Sequence, residues 1–173
     1  MKSLIELAQI YATYHRKPIT LYTHLVGVPL IIFSMMVLLG FLHLVITGVM
    51  DISLAFLATL ALIGYYFYLN WRLALPLTVI LFALLWIASL VCAHGPTHTA
   101  LWIFVFTFVI GWACQLVGHF IDGNQNALKD NFWQVLVAPL FLTAELIFAT
   151  GYLKDLQVQI EGSEKEEEKS LIP

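Results

Sequence analysis

The chain has 173 residues, of which 61% are hydrophobic and 11% are charged, with a formal net charge of −3. Soluble domains carry about 45–50% apolar and about 25% charged residues, so an ordinary soluble domain is excluded. The sequence has no basic patch with interleaved aromatic residues, and we therefore expect no nucleic-acid partner.

Residues 1–24 precede the first long apolar run and are predicted to form an interfacial helix and a histidine-bearing turn. The segment Ser3–Glu6 matches a capping box. Apolar residues then follow at helical spacing: Leu4, Leu7, Ala8, Tyr11 and Tyr14. This amphipathic helix lies at the membrane interface or packs on the bundle, and the sequence leaves both open. Pro18 disfavours a continuous helix between His15 and His24, and a turn would bring both rings together.

Residues 25–153 are predicted to form a transmembrane bundle, because a helix of about 20 apolar residues crosses the hydrocarbon core. The apolar runs are Leu25–Leu42, Ser53–Leu69, Leu73–Cys92, Ala100–Gly118 and Phe132–Tyr152. Whether the last run spans fully is open, because Pro139 and Glu145 interrupt it. The expected fold is an all-α, polytopic helical membrane protein with about five apolar helices and a short N-terminal amphipathic helix. Residues 154–173 are predicted to form an acidic, disordered tail.

The basic residues predict the orientation, because cytosolic loops carry an excess of lysine and arginine. They lie before the first run, between the second and third, and between the fourth and fifth: Lys2, Arg16, Lys17, Arg72 and Lys129. The loops around His43–Asp51 and Ala93–Thr99 contain none. The rule therefore places one set of histidines in the cytosol (His15, His24 and His119) and the other across the bilayer (His43, His94 and His98). With five spans, the acidic tail would emerge on the far side.

A candidate metal site follows from this sorting. Gln115, His119 and Asp122 are spaced i, i+4 and i+7 and share one helical face. Imidazoles with a carboxylate suit iron, zinc, copper or nickel, and an open arrangement of two histidines and one carboxylate suits Fe(II) oxygen chemistry. The predicted ligands are His15, His24, His119 and Asp122. One of the four would then orient a ligand instead of binding the metal.

Four further residues are candidates for orienting ligands or binding substrate. Glu145 lies inside an apolar run, where a carboxylate is costly and functional by default. Its alternative role is a structural hydrogen bond between helices. Gln115 is a candidate for orienting a ligand. Arg16 and Lys17 would counter a substrate carboxylate, or alternatively contact lipid headgroups.

The two histidine segments resemble those of the Mpo1-like membrane family. The first is Tyr14–Pro18 continuing through His24–Leu30, and the second is Trp112–His119 with Asp122 and Gly123 after it. The match continues through Ala138–Leu140 to Glu145, so the resemblance spans about residues 8–150.

This resemblance implies an Fe(II)-dependent dioxygenase that uses O2 to shorten 2-hydroxy fatty acids by one carbon. Such enzymes act in fatty acid α-oxidation and the degradation of sphingolipid long-chain bases. His15, His24 and His119 match the family's metal-site histidines. Thr20 stands where many relatives carry Asn, and Asn126 where Pro is usual. Asp122 stands where Glu is usual, and its shorter arm leaves direct ligation by Asp122 open.

The leading hypothesis is an enzyme that binds Fe(II) at its cytosolic interface and holds the acyl chain among apolar helices. A zinc-dependent membrane hydrolase would use the same ligands to activate water. A non-catalytic small membrane protein would keep its metal content and function after replacement of the three cytosolic histidines. The host is a bacterial inner membrane, which the compact length favours, or the endoplasmic reticulum. The oligomeric state and chain-length preference do not follow from the sequence.

Overall fold

The computed structural model describes residues 18–46, 50–122, 132–158 and 160. In chain order its elements are α1 (Pro18–Gly40), β1 (His43–Ile46), β2 (Met50–Ser53), α2 (Leu54–Leu69), α3 (Trp71–Cys92), α4 (His98–Asp122) and α5 (Phe132–Ala149). A short helical stretch follows at 154–158, and the rest of the predicted tail lies outside the described residues apart from Ile160. The prediction of a helical membrane protein is confirmed.

Three of these helices are long and apolar enough to cross a membrane, at Ile19–Gly40, Trp71–Cys92 and His98–Ile121. The other two apolar helices are shorter, at Leu54–Leu69 and Leu136–Ala149. With a rise of about 1.5 Å per residue, α2 is about 24 Å long, somewhat less than the hydrocarbon thickness of about 30 Å.

Helix α1 begins at Pro18, earlier than the start of the first apolar run at Leu25. Proline has no N–H to leave unpaired and a backbone angle preset for the helix, so it is well suited to the first turn. Pro18 therefore starts a helix, and His24 lies on α1 instead of in the predicted turn. His15 lies outside the described residues, so its approach to His24 stays a prediction.

Helix α1 lies at the centre of the bundle, with its most extensive contact to α4 and further contacts to α2 and α3. Glycines allow the close approach of α1 and α4. A Cβ at Gly27 would stand 2.9 Å from the carbonyl oxygen of Gly111, and a Cβ at Gly111 would stand 2.8 Å from Cγ1 of Ile31. Small residues of this kind let helix backbones pack directly on each other in membranes.

Asn70 joins α2 to α3 and explains their tight antiparallel connection. Its N–H donates to the carbonyl of Tyr66 at 2.9 Å, which ends α2. Its side-chain Oδ1 accepts from the N–H groups of Arg72 and Leu73 at 3.0 and 3.3 Å, which caps the start of α3. The second and third apolar runs of the sequence thus form a contacting pair of helices.

The segment after α1, expected to be a loop, contains an antiparallel hairpin in which His43 pairs with Ser53 and Ile46 with Met50. His43 fastens this hairpin to α1, because its Nδ1 lies 2.6 Å from Asp51 Oδ1 and its Nε2 lies 3.0 Å from the carbonyl oxygen of Gly40. Both partners accept hydrogen bonds, so the contacts favour the doubly protonated ring. The side-chain hydrogen bond to Asp51 accordingly raises the pKa of His43 above its ordinary value.

Both flanks of α5 lie near the α2–α3 connection. Near its start, the carbonyl of Leu136 accepts a hydrogen bond from the Tyr66 hydroxyl at 2.8 Å. Beyond its end, Asp155 and Leu156 line a small cleft with residues 67–72. A five-span topology would carry residue 155 to the opposite end of the bundle. Helix α5 therefore does not take the chain across, and the tail begins at the end that carries Arg72, which corrects the expectation that it emerges on the far side.

This arrangement predicts the side from which the C-terminal segment is labelled. In a background with Cys92 and Cys114 replaced by alanine, a cysteine at Asp155 should react with a membrane-impermeant maleimide from the same side as one at Trp71. A cysteine at His94, which follows the distal end of α3, should react from the other side. Labelling of the Asp155 and His94 positions from one common side would contradict the fold.

Candidate metal centre

The structure brings His24 of α1 and His119 of α4 together, although 95 residues separate them in sequence. Their Nε2 atoms lie 3.4 Å apart, and the two rings are nearly perpendicular, at 83°, with centroids 4.8 Å apart. His24 is 2% exposed, so bulk water has little access to its ring. His119 is half-buried. The pair is thus a protected site with two nitrogen atoms directed at each other.

The backbone of α1 sets the orientation of the His24 ring. Nδ1 of His24 lies 2.8 Å from the carbonyl oxygen of Thr20, one turn earlier. A carbonyl can only accept, so Nδ1 carries the hydrogen, and in the neutral ring Nε2 keeps its lone pair. Metal-binding histidines commonly donate their other N–H to a backbone carbonyl in this way. The lone pair of His24 therefore faces His119.

Thr20 and Thr23 connect this site to α4 and stiffen it. The Thr20 hydroxyl, fully buried, donates to the carbonyl of Gly118 at 3.3 Å. The Thr23 hydroxyl donates to the carbonyl of Thr20 at 2.9 Å. A Cβ at Gly118 would lie 2.5 Å from Thr23 Oγ1 and 2.9 Å from Nδ1 of His24. Gly118 thus leaves the room that the histidine ring occupies and permits the close packing of α1 and α4.

The separation of the two nitrogens fits a shared metal ion. Two nitrogens about 2.1 Å from one zinc ion are about 3.4 Å apart at a tetrahedral angle and about 3.0 Å apart at a right angle. The observed 3.4 Å falls at the tetrahedral value and requires only a small adjustment for the right angle. It is also longer than the roughly 2.7–3.2 Å of a good hydrogen bond between the rings. Among the described residues, no group of three or more His, Cys, Asp or Glu forms a larger cluster.

The other predicted site residues divide into those outside the described region and those placed elsewhere. His15, Arg16 and Lys17 lie outside it. Asp122 ends α4, and its side chain is likewise outside the described part. Gln115 is buried one turn before His119, where a Cβ at Gly27 would contact its Cγ at 3.4 Å. The roles assigned to these residues stay predictions.

Glu145 occupies an exposed position of α5. Among the described residues, helix α5 packs mainly against α3 and α1. The roles suggested for Glu145 stay predictions.

The remaining histidines lie at the opposite end of the bundle, as the sorting by basic residues predicts. His43 follows the end of α1, where a Cβ at Gly40 would stand 2.8 Å from Cys92 Sγ at the end of α3. His94 and His98 have an i, i+4 spacing but are separated by Gly95 and Pro96, and both are exposed. Their positions leave His24 and His119 as the histidine pair within the described chain.

Sequence reasoning missed the contribution of Thr20 and Thr23 to the site. The signal that could have found them is spacing, because Thr20 lies one helical turn before His24 once α1 is extended to Pro18. A turn at Pro18, as predicted from the sequence, would not place Thr20 and His24 on one helix. Gly111 was also missed, although it lies two turns before Gly118 on the same face of α4.

Comparisons with known proteins agree on one family. A family model described as 2-hydroxy-palmitic acid dioxygenase Mpo1-like matches residues 1–150. The 2-hydroxy-palmitic acid dioxygenase MPO1 of Saccharomyces cerevisiae is 31% identical over 153 residues, which are 87% of this chain and 83% of the yeast protein. No solved structure matches the chain significantly. The family match covers both histidines of the pair and all five helices.

Proposed function

The chain belongs to the Mpo1-like family, and we propose that it is a membrane-bound, Fe(II)-dependent dioxygenase that shortens 2-hydroxy fatty acids by one carbon. The observation that carries the proposal is the buried pair of His24 and His119, whose Nε2 atoms lie 3.4 Å apart in a chain of this family. Following the positive-inside rule, we place the pair on the cytosolic side of a bacterial inner membrane or the endoplasmic reticulum.

In this proposal His24 and His119 hold the iron through Nε2, and His15 and Asp122 are the further candidate ligands. When bound there, iron would supply the O2 chemistry and a positive charge for the carboxylate and 2-hydroxyl of the substrate. Thr20 acts through His24, because its carbonyl retains the Nδ1 hydrogen and so keeps Nε2 available. Arg16 or Lys17 would neutralise the substrate carboxylate at the interface.

The position of the pair suits an amphiphilic substrate. His24 lies in the second turn of α1 and His119 in the last turn of α4, so both are near the ends of long apolar helices. A fatty acid can keep its alkyl chain in the hydrocarbon layer while its polar end reaches this depth. The burial of His24 limits the water that would compete for the site.

The overall reaction balances without a separate reductant. A 2-hydroxy acid and one O2 give the acid with one carbon fewer, one CO2 and one water. The bond between C1 and C2 breaks, the substrate is oxidised by four electrons, and O2 is reduced by the same four. This fits a chain in which no nicotinamide or flavin motif is evident.

A zinc-dependent hydrolase is the second candidate, because the 3.4 Å separation falls at the tetrahedral geometry that zinc prefers. Zinc has no redox chemistry, so this alternative consumes no oxygen. Product analysis with each metal therefore separates the two functions.

The test is to incubate purified protein, loaded with Fe(II) or Zn(II), with 2-hydroxypalmitic acid under oxygen and to identify the products. We expect the Fe(II) protein to form the acid one carbon shorter and an equal amount of CO2, and the Zn(II) protein to form neither. Unchanged 2-hydroxypalmitic acid with the Fe(II) protein, or equal chain shortening with zinc, would overturn the proposal.

A further inference from the structure

Three aromatic residues continue the face of α4 that carries His119. Trp112 precedes His119 by seven residues, which returns to the same face within about 20°. Phe108 and Phe104 follow at steps of four residues toward the helix N-terminus. The rings of Phe108 and Trp112 have centroids 6.2 Å apart, and those of Phe104 and Phe108 are 5.7 Å apart. We call this continuous row of rings the α4 ladder.

The ladder differs from the surface of α4 that simply faces lipid. Its three rings are half-buried, and Phe104 packs against the hydrophobic core. The indole Nε1 of Trp112 is buried and has no hydrogen-bond partner among the described residues. The accessible part of the Trp112 side chain therefore consists of carbon atoms. On the opposite face of the same helix, Phe106 is 58% exposed. The ladder is therefore a partly fixed apolar surface beside the α1–α4 contact.

The length of the ladder matches an alkyl chain that starts at the histidine pair. At about 1.5 Å per residue, Trp112 lies about 10 Å, Phe108 about 16 Å and Phe104 about 22 Å along α4 from His119. One leaflet of the hydrocarbon core, which a single acyl chain fills, is about 15 Å deep. A chain of that length would pass Trp112 and end beside Phe108, and a longer chain would reach Phe104.

We propose that the α4 ladder binds the alkyl chain of the 2-hydroxy fatty acid and sets the preferred chain length. This inference rests on the proposed function, which places the polar end of the substrate at His24 and His119. Long chains gain contact with Phe108 and Phe104, whereas a short chain ends beside Trp112. The ladder thus favours substrates by length and leaves the chemistry at the histidines unchanged.

The first test compares kcat/KM for 2-hydroxypalmitic and 2-hydroxyoctanoic acid in the wild type, Phe108→Ala and the control Phe106→Ala. Because each buried methylene contributes about 0.8 kcal/mol, losing the contact with about two of them lowers kcat/KM for the palmitic substrate about tenfold in Phe108→Ala. The octanoic substrate should change by less than about twofold, and Phe106→Ala should resemble the wild type on both. Equal losses on both acids in Phe108→Ala, or a matching loss in Phe106→Ala, would overturn the ladder.

A second measurement does not depend on turnover or on a stable Phe108→Ala protein. The wild type is photolysed with a 2-hydroxy fatty acid that carries a diazirine near the middle of its chain, and the labelled peptide is identified by mass spectrometry. We expect labelling within residues 104–112, reduced by an excess of unlabelled 2-hydroxypalmitic acid. If the protein oxidises the acid but the photolabel is found in another segment, the chain-binding role of the α4 ladder is refuted and the proposed function is not. Absence of both competed labelling and turnover overturns the proposed function together with the ladder.

Discussion

Replacing His119 with alanine is expected to abolish iron binding and turnover of 2-hydroxy fatty acids. The change removes one of the two Nε2 atoms that lie 3.4 Å apart in the site. Even the residues that orient a metal ligand contribute about 10–100-fold to affinity, so loss of a ligand should lower it by at least about 100-fold. Metal content after anaerobic reconstitution, with turnover measured on the same samples, provides the test.

His98 supplies a matched control for this substitution. It is a histidine on the same helix α4, but it is exposed and lies at the opposite end. His98→Ala should therefore keep the metal content and turnover of the wild type. A His119→Ala protein that still binds one iron and turns over at the wild-type rate would refute the assignment of the site, as would an equal loss in His98→Ala.

Gly118→Ala is expected to disable the site although it removes no functional group. The added methyl would lie 2.5 Å from Thr23 Oγ1 and 2.9 Å from both Cε1 and Nδ1 of His24. The His24 ring must then rotate or α1 must move away from α4, and either change breaks the alignment with His119. Overpacking of this kind costs about 1–3 kcal/mol of stability. We expect turnover and iron affinity to fall by at least about tenfold, which corresponds to about 1.4 kcal/mol.

Gly64 provides the control for the introduced methyl group. It is a helical glycine on α2, and a Cβ there would meet nothing within 4 Å. Gly64→Ala should leave turnover unchanged and raise helix stability by up to about 1 kcal/mol. Thermal unfolding in detergent and iron titration measure both effects. Adding Thr23→Ala to Gly118→Ala removes the shortest contact and should restore part of the iron affinity, whereas wild-type behaviour of the single Gly118→Ala variant would contradict the packing described here.

The helical membrane fold and the proximity of His24 and His119 could both be predicted from the sequence. Long apolar runs require helices in lipid, because backbone groups cannot be left unpaired there. The distribution of basic residues then placed the start of α1 and the end of α4 at one side, where the two histidines indeed lie. The long-range contact thus followed from topology, and the 3.4 Å separation required the structure.

Three features could not be obtained from the sequence in this way. The first is the start of α1: residues 18–24, predicted to contain a turn, are helical from Pro18 onward, which aligns Thr20 with His24. The hairpin that contains His43 depends on pairing between strands too short to give a clear alternating pattern. The course of α5 depends on contacts with the α2–α3 connection. Composition alone does not show whether an apolar helix carries the chain across the membrane or leaves both of its ends on one side.

The most direct test of the proposed function is oxygen uptake by anaerobically purified, Fe(II)-loaded protein given 2-hydroxypalmitic acid, with palmitic acid as the control. We expect uptake only with the hydroxy acid, with one O2 consumed for each molecule shortened. No uptake despite demonstrated iron occupancy, or equal uptake with palmitic acid, would contradict it.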